Sequence, residues 1–144
     1  MEEFTIRKAV VEDADQIAVL LGELGYPNTP AFSKAKIAEL SKSRSDSVFV
    51  AEADDRVVAV AHLHIAELLH EPGRLGRIIA IVVTNNYLRR GVGRKFMALL
   101  ETISRDAGCT KMELTSSIHR KGAHAFYKGL GYIEKPRRFV KVLE

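Results

Sequence analysis

Hydrophobic residues in the first third of the chain follow the spacing of one strand and two helices. The stretch from Phe4 to Lys8 has the pattern of a short strand. A helix follows that begins near Glu12 to Asp15, ends at Gly25-Tyr26-Pro27 and carries its apolar face at Ile17, Leu20, Leu21 and Leu24. Because Pro27 to Phe32 contains two prolines and an asparagine, we predict a loop there, before a weaker helix around Lys34 to Lys42.

The next segment has the alternation of a β-hairpin. Ser47 to Ala53 and Arg56 to Ile65 are strand-like runs, and Asp54-Asp55 between them fits a tight turn. Alternation predicts one face with Val57, Ala59, Ala61, Leu63 and Ile65, and another with Val58, Val60, His62 and His64. Two histidines are therefore expected on the same face.

A buried strand and a long helix dominate the middle of the chain. After the loop Glu71-Pro72-Gly73, the run from Ile78 to Val83 is continuously apolar and β-branched, which predicts a central strand buried on both faces. Thr84-Asn85-Asn86 ends it. The clearest helix then carries Val92, Phe96, Leu99, Leu100, Ile103 and Ala107 at helical spacing and stops at Gly108.

The last segment repeats the order of strand and helix. Thr110 to Ser116 alternates as a strand, and a short helix follows that carries Ala123, Phe126, Tyr127 and Leu130 and closes at Gly129 to Gly131. Tyr132 to Lys135 and Arg138 to Leu143 flank Pro136 and predict a terminal pair of strands. This order predicts a single α/β domain over residues 1–144.

Composition is that of a globular protein. Of the 144 residues, 47% are hydrophobic and 28% are charged. The longest apolar run is far shorter than the roughly 20 residues that span a bilayer, and Met1-Glu2-Glu3 lacks the basic start of a secretion signal, so we expect a cytoplasmic protein without a membrane partner. Cys109 is the single cysteine, which excludes an internal disulfide and favours a buried structural thiol.

Glycines interleaved with basic residues mark a candidate anion site. The net charge of +4 is concentrated in two clusters, of which Arg89, Arg90, Arg94 and Lys95 surround Gly91 and Gly93 at the start of the long helix. Glycines let a backbone approach a ligand closely, and helix N-terminal amides bind phosphates. The segment is not a Walker loop, and Phe96 replaces the third glycine of a dinucleotide fingerprint. A purely structural tight turn is the alternative.

Two motifs resemble the GNAT superfamily of N-acetyltransferases. Leu88-Arg89-Arg90-Gly91-Val92-Gly93 is similar to the family signature Gln/Arg-x-x-Gly-x-Gly/Ala, with Leu88 at the Gln/Arg position. Arg120 to Tyr127, followed by Gly131-Tyr132, looks like the family's late Ala-x-x-Phe-Tyr segment. The resemblance implies a mixed, curved sheet of six to seven strands flanked by about four helices, and acetyl-coenzyme A (acetyl-CoA) as cosubstrate. It assigns cofactor binding to Ile81, Val82, Val83, Leu88, Arg89, Arg90, Gly91, Val92, Gly93, Arg94, Ser116, Arg120, Ala123, Phe126 and Tyr127.

The run from Leu75 to Val140 looks similar to bacterial aminoalkylphosphonate N-acetyltransferases within this superfamily. That similarity implies a small primary amine as acceptor. Acidic residues that those enzymes carry on the fourth strand correspond here to Arg77 and Ala80. The identity of the acceptor therefore does not follow from the similarity.

The family resemblance implies direct attack of the amine on the thioester in a ternary complex, with a backbone amide near Val82 and Val83 supporting the oxyanion. Tyr127 matches the family position that protonates the leaving thiolate, although a core aromatic explains its helical spacing equally well. Because Ala80 removes the usual strand acid, the general base has several candidates. They are His62, His64, Glu67, His70 and His124, and we assign the catalytic roles to Tyr127, His64 and His124.

Tyr26, Phe32, His62 and His64 are expected to line the acceptor pocket by family analogy. A cluster of His62, His64 and His70 would suit a divalent metal, but no carboxylate stands at ligand spacing, so we predict no metal. The main hypothesis is a small-molecule N-acetyltransferase that forms a homodimer through its C-terminal strands. The alternatives are a protein or peptide acetyltransferase and a non-catalytic acetyl-CoA sensor, and no motif supports nucleic-acid binding.

Overall fold

The computed structural model describes residues 3–116, 121–135 and 137–143. These residues contain five strands, which are β1 (Thr5–Lys8), β2 (Asp46–Ala53), β3 (Arg56–Glu67), β4 (Arg74–Val83) and β5 (Cys109–Leu114). They form one sheet in the order β1-β2-β3-β4-β5, antiparallel from β1 to β4 and parallel between β4 and β5. The sheet is therefore mixed, as predicted.

Four α-helices accompany the sheet in the described residues. They are α1 (Ala14–Leu24), α2 (Pro30–Leu40), α3 (Val92–Asp106) and α4 (Lys121–Gly129). The prediction of a loop as far as Phe32 is wrong, because α2 begins at Pro30. Thr29 caps the helix by accepting a hydrogen bond from the Phe32 amide at 3.1 Å, and proline fits the first turn, where its missing N–H costs nothing.

The chain divides into two compact units, Met1–Leu114 and Thr115–Glu144. The first unit holds the whole sheet with α1, α2 and α3, and the second holds α4. In the described part of the chain, no helix combines the length and the apolar character that crossing a bilayer requires.

The predicted hairpin of β2 and β3 is confirmed, but its faces are not all as predicted. Asp54 and Asp55 both have positive φ, which is the backbone of a tight two-residue hairpin turn. The register then shifts, so that Ala51 pairs with Ala59 while Glu52 pairs with Val57. This β-bulge changes the alternation, and Val57 joins the core cluster of Val60 rather than the face of Ala59.

The prediction that Ile78 to Val83 is buried on both faces is also wrong. A second bulge pairs His62 with Ala80 but Leu63 with Ile78, which leaves Ile79 as an extra residue on β4. Ile78 is buried, whereas Ile79 is 46% exposed. The bulge therefore turns an apolar side chain outward at the middle of the strand.

The core of the first unit lies between α1, α2 and one face of the sheet. Its buried members are Ala14, Ile17, Leu20, Ile37, Val50, Val57, Val60 and Val82. On α3, Phe96 and Leu100 are fully buried, as the predicted helical spacing requires. Cys109 begins β5 as expected and is half-buried, and burial raises the pKa of its thiol.

The predicted terminal strand pair is not found among the described residues 131–135 and 137–143. The described sheet therefore has five strands, not the expected six to seven. Helix α4 ends in a Schellman-type cap, with Gly131 at φ +96° and the Tyr132 amide donating to the Tyr127 carbonyl at 3.0 Å. Arg137 has positive φ, and residues 137–143 are exposed.

Candidate functional site

The predicted anion-binding loop forms a turn between β4 and α3. Arg89 and Gly91 adopt left-handed backbone conformations (φ +64° and +84°), and α3 begins at the fully buried Val92. The first amides of an α-helix have no carbonyl one turn earlier, and the Lys95 amide bonds back to Gly91 at 3.1 Å. The amides of residues 92–94 are thus the N-terminal donors that an anion would accept from.

The side chains around this loop divide into anchoring and exposed groups. Tyr87 is buried, and its hydroxyl donates to Asp54 at 2.6 Å, which ties the loop to the β2–β3 turn. The Arg90 guanidinium lies 4.9 Å from the centre of the Tyr87 ring. Arg89 and Arg94 are exposed. These residues give the loop a positive surface on a fixed backbone.

The end of β4 has one side without a neighbouring strand in the described residues. The ladder to β5 covers Arg74 to Ile78, while β3 pairs with β4 as far as Val83. Residues 80–83, which include the predicted contacts Ile81, Val82 and Val83, therefore pair on the β3 side alone. Peptide groups on the other side require another partner, such as a ligand or water.

A cavity of about 330 Å³ lies in the first unit beside the same strand. Its lining is mostly apolar, with Asn28, Ser33, Lys36 and His62 as the polar side chains. The apolar and small lining residues are Ile17, Leu21, Phe32, Ile37, Leu40, Val48, Val60, Ala61 and Ala80. This is the usual character of a small-molecule site.

Of the four predicted pocket residues, two line this cavity. Phe32 and His62 are among its walls, whereas Tyr26 is 66% exposed and, like His64, does not line it. Phe32 reaches the cavity from α2, where Lys36 stands one turn further and holds its ammonium 5.6 Å from the ring centre. The helix that was predicted to be a loop therefore carries part of the wall.

His62 and His64 meet at a carboxylate that the sequence analysis did not single out. Oδ1 of Asp46 lies 2.8 Å from Nε2 of His62 and 3.1 Å from Nδ1 of His64. Oδ2 accepts a hydrogen bond from the Ser43 hydroxyl at 2.8 Å. Burial alone would raise the pKa of Asp46, but hydrogen bonds from His62, Ser43 and His64 outweigh it and lower that pKa to about 2.

The register explains how Asp46 reaches the two histidines. Asp46 pairs directly with His64 across the hairpin, and His62 is the diagonal neighbour on the same face. Without the β-bulge, a two-residue turn would pair Asp46 with Leu63 and direct its side chain to the other face. Extending the predicted strand back from Ser47 would have brought Asp46 into the hairpin, but not onto this face.

The other candidate bases have different surroundings. Glu67 is bound by Arg74 at 2.6 Å, and His70 is exposed, with Glu71 at 3.6 Å. Within the described residues, no three His, Cys, Asp or Glu side chains form a group that would hold a metal ion. His124 lies half-buried on α4 in the second unit.

The remaining predicted residues belong to the second unit or lie outside the description. On α4, the Phe126 and Tyr127 rings pack edge to face at 5.3 Å, and Tyr132 packs on Tyr127 at 6.1 Å. Ala123 is half-buried on the same helix, and Ser116 is half-buried before it. Arg120 lies outside the described residues.

Comparison with known proteins identifies the family. The chain matches the model of the acetyltransferase (GNAT) family over residues 15–132. It is 31% identical to the aminoalkylphosphonate N-acetyltransferase of Salmonella typhimurium over 96% of this chain and 90% of that protein. The glucosamine-6-phosphate N-acetyltransferase of Arabidopsis thaliana has the same fold, with a TM-score of 0.83 and 25% identity over 99% of this chain and all of that one.

A third relative adds only its fold. An aminoglycoside N-acetyltransferase, solved in complex with CoA, has a TM-score of 0.85 at 18% identity, over 99% of this chain and 96% of that one. The family match itself runs from α1 past α4 and includes both the anion-binding loop and the cavity. The chain therefore belongs to the acetyltransferase (GNAT) family, whose acetyl donor is acetyl-CoA, and is an N-acetyltransferase.

Proposed function

We propose that this protein transfers the acetyl group of acetyl-CoA to the primary amine of a small molecule, by direct attack of the amine in a ternary complex. The observation that carries the proposal is the course of β4. Ala80 lines the cavity, and the same strand continues through Val83 to the loop that begins α3. An acceptor in the cavity and a donor along the end of β4 would share this strand, which brings the reacting groups together.

The residues present fit acetyl-CoA. The N-terminal amides of α3 and the guanidinium groups of Arg89, Arg90 and Arg94 match the charge of a diphosphate. The open side of β4 from 80 to 83 offers backbone donors and acceptors to the amide groups of the cofactor's arm. Once bound, this cosubstrate supplies a thioester carbon for attack and a thiolate as leaving group.

Leu88 is the one departure from the family signature in the loop. It is 52% exposed and has no polar group with which to hold a phosphate. The proposal therefore assigns diphosphate binding mainly to backbone amides, which do not depend on the side chain at position 88.

The cavity supports a small acceptor that carries an acidic group. Its volume of about 330 Å³ lies at the lower end of the range of small-molecule sites. Lys36, Ser33 and Asn28 offer one positive charge and further polar contacts along its wall. Two relatives act, by their names, on amines that bear a phosphonate or a phosphate. We propose the same class of acceptor here, without choosing between these compounds.

Acetyl transfer also requires two proton movements. An alkylammonium with a pKa of about 10.4 must lose a proton before it attacks, which costs about 4.6 kcal/mol at pH 7 without assistance. The leaving thiolate must gain one, and we propose Tyr127 as its donor. The roles of His64 and His124 in proton transfer stay predictions from the sequence. A phenol with a pKa near 10 is a suitable donor if the site adjusts that value.

We also propose a homodimer that acts in the cytoplasm. Phe139, Val142 and Leu143 each expose more than four-fifths of their surface, and clustered exposed apolar side chains commonly mark an interface. Sedimentation at micromolar concentration is expected to give twice the 16.0 kDa mass of the chain. A species of the chain mass alone would contradict the dimer.

The experiment that tests the proposed function measures thiol release from acetyl-CoA against a panel of amines. The panel contains 2-aminoethylphosphonate, glucosamine 6-phosphate, an aminoglycoside, a polyamine, free amino acids and a lysine peptide, with and without divalent metal. We expect turnover of a small amine, fastest for those with a phosphonate or phosphate. Turnover of the peptide alone would favour a peptide acetyltransferase instead.

Calorimetry with acetyl-CoA separates the remaining alternatives. Tight binding without turnover of any amine would favour an acetyl-CoA sensor. A failure to bind acetyl-CoA would contradict the assignment of the loop from Arg89 to Arg94.

A further inference from the structure

Asp46 is held rigidly at the start of β2. The Ser43 hydroxyl donates to its Oδ2, and the Asp46 backbone amide donates back to the Ser43 hydroxyl at 3.1 Å. The Ser45 hydroxyl lies 3.5 Å from the same Oδ2. This local network fixes the plane of the carboxylate and leaves Oδ1 to the two histidines.

The protonation state of Asp46 determines which nitrogens of the His62 and His64 rings carry hydrogen. With a pKa of about 2, Asp46 is a carboxylate near neutral pH and has no proton to donate. Both nitrogens that face it must therefore carry the hydrogen, which are Nε2 of His62 and Nδ1 of His64. In the neutral rings, the basic nitrogens are then Nδ1 of His62 and Nε2 of His64.

Only one of these two rings belongs to the cavity. His62 is on its wall, and Ala80, the β4 residue paired with His62, lies on the same wall. Ala80 has no group that could accept a proton, so at this place on the wall the hairpin strand supplies the proton acceptor through His62. The His64 ring, about one-third exposed, supports the carboxylate from the other side.

We propose that His62 accepts the proton of the acceptor ammonium and that Asp46 is the positioning residue that fixes its tautomer, which rests on the proposed function. In this step an N–H bond of the ammonium breaks, the electron pair stays on the amine nitrogen, and the proton bonds to Nδ1 of His62. The imidazolium is held by the Asp46 carboxylate until it releases the proton to solvent. This arrangement follows the general pattern of a base oriented by a carboxylate.

Other charged groups surround the cluster, and a pH experiment has to separate them from His62. They come from every neighbouring element and are Lys36 of α2, Lys8 of β1, Arg44 before β2, Arg77 of β4 and its partner Glu113 of β5. Matched single substitutions are therefore compared with one another and not with the wild type alone.

The first experiment reads the tautomers directly and needs no substrate. Histidine ring ¹⁵N spectra of the whole protein are assigned by comparison with His62→Gln and His64→Gln. We expect hydrogen on Nε2 of neutral His62 and on Nδ1 of neutral His64, and loss of this preference in Asp46→Asn. Hydrogen on Nδ1 of neutral His62 would overturn the proposal, because no lone pair would remain there to accept a proton.

The second experiment measures kcat and KM between pH 6 and 10 with 2-aminoethylphosphonate and with glucosamine 6-phosphate. His62→Gln is expected to lower kcat at pH 7 by about 10²- to 10⁴-fold, the usual effect of removing a general base. The loss should shrink as the pH approaches the pKa of the acceptor, because more amine then arrives deprotonated. A merely structural role would not produce that recovery.

The remaining variants rank the residues around His62 by their effect on kcat. Asp46→Asn is expected to lower kcat by about tenfold or more, Ser43→Ala by less, and His64→Gln least. Asp106→Asn, an exposed carboxylate at the end of α3, is the matched control and should keep wild-type rates. Circular dichroism and thermal melting confirm that each variant is folded.

The outcomes separate this proposal from the one on which it rests. Wild-type turnover with an unaffected, folded His62→Gln would overturn the role of His62 and leave the proposed function intact. If kcat falls in His124→Gln and not in His62→Gln, the role of His62 is likewise overturned and the proposed function is kept. If the wild type turns over no amine, the proposed function fails and the role of His62 fails with it, whatever the tautomers are.

Discussion

The proposed anion-binding loop and the proposed acceptor cavity are neighbours on β4. The loop presents backbone groups to its ligand, whereas the cavity presents side chains. The loop uses main-chain amides, whose directions are set by the left-handed turn at Arg89 and Gly91 and by the buried anchor Val92. The cavity uses side chains from α1, α2 and three strands, which the fold has to bring together. A site made of backbone tolerates side-chain changes, whereas a site made of side chains depends on register.

Among the variants that test this contrast between backbone and side chain, the largest effect is expected from the backbone of the loop. Gly91 has φ +84°, and no atom stands within 4 Å of a Cβ added there, so a substitution is strained but not blocked. Gly91→Val forces a β-branched residue into the left-handed region at a cost of about 1–2 kcal/mol or moves the amides. We expect CoA to bind about ten- to a hundredfold more weakly by calorimetry.

The matched control for Gly91 is another exposed glycine that has free space around it. Gly22, within α1, also has no atom within 4 Å of an added Cβ and does not have positive φ. Gly22→Val should leave CoA affinity unchanged. Equal affinity in the two variants would mean that the backbone at Gly91 does not matter for binding.

The next effect concerns Asp46 and the pH dependence of stability. Its pKa is about 2 in the folded protein and 3.8 in its ordinary state, so its contribution to stability is complete above about pH 5 and is lost as the pH falls through 3.8 towards 2. Asp46→Asn should therefore lower the free energy of unfolding by about 1–2 kcal/mol at pH 6, and by progressively less at pH 3 and below. Urea unfolding at several pH values measures the difference, and a difference that grows on acidification would contradict the hydrogen-bonded carboxylate.

A smaller effect is expected from the charged residue on the cavity wall. Lys36 is exposed and keeps much of its hydration, so its attraction for a phosphonate is screened. Lys36→Met should raise KM for 2-aminoethylphosphonate about three- to tenfold and leave KM unchanged for an alkylamine that carries no acidic group. Equal changes for both acceptors would show that Lys36 shapes the cavity and does not bind an anion.

The smallest expected effect sharpens the contrast between backbone and side chain. Leu88→Gln restores the residue type of the family signature to an exposed position. If the amides carry most of the binding, CoA affinity should change by about threefold or less, the size of a weak exposed contact. A gain of a hundredfold would show that the loop also needs the missing side chain.

The contrast between the backbone site and the side-chain site also explains which features could be predicted from the sequence. The turn at Gly91 and the start of α3 were predicted correctly, because glycines and helical periodicity are local signals, and the binding of an anion there stays a prediction. The succession of strands and helices along the first unit follows from periodicity in the same way, whereas the order of the strands in the sheet comes from the structure. Conversely, the proline at position 30 was misinterpreted as part of a loop, since a proline in the first turn of a helix has the same local signature.

The proposed acceptor cavity and the cluster of Asp46, His62 and His64 depend on two bulges that have no clear sequence signal. One shifts β2 against β3 and directs Asp46 to the histidines, and the other turns Ile79 outward on β4. Each bulge changes the face of the residues beyond it by a single-residue shift, which strict alternation misses. The sequence predicts His62 as a candidate base, whereas the contact between Asp46 and its ring is seen only in the structure.

The most direct test of the central claim is the mass of the acceptor after incubation with acetyl-CoA labelled with ¹³C in the acetyl group. Glucosamine 6-phosphate and 2-aminoethylphosphonate are incubated separately with the wild-type protein and analysed by mass spectrometry. The account predicts one labelled acetyl group on the amine nitrogen of at least one acceptor. With His62→Gln at pH 7, the labelled product should form at least about a hundredfold more slowly. Unlabelled acceptors after incubation with folded protein that binds acetyl-CoA would contradict it.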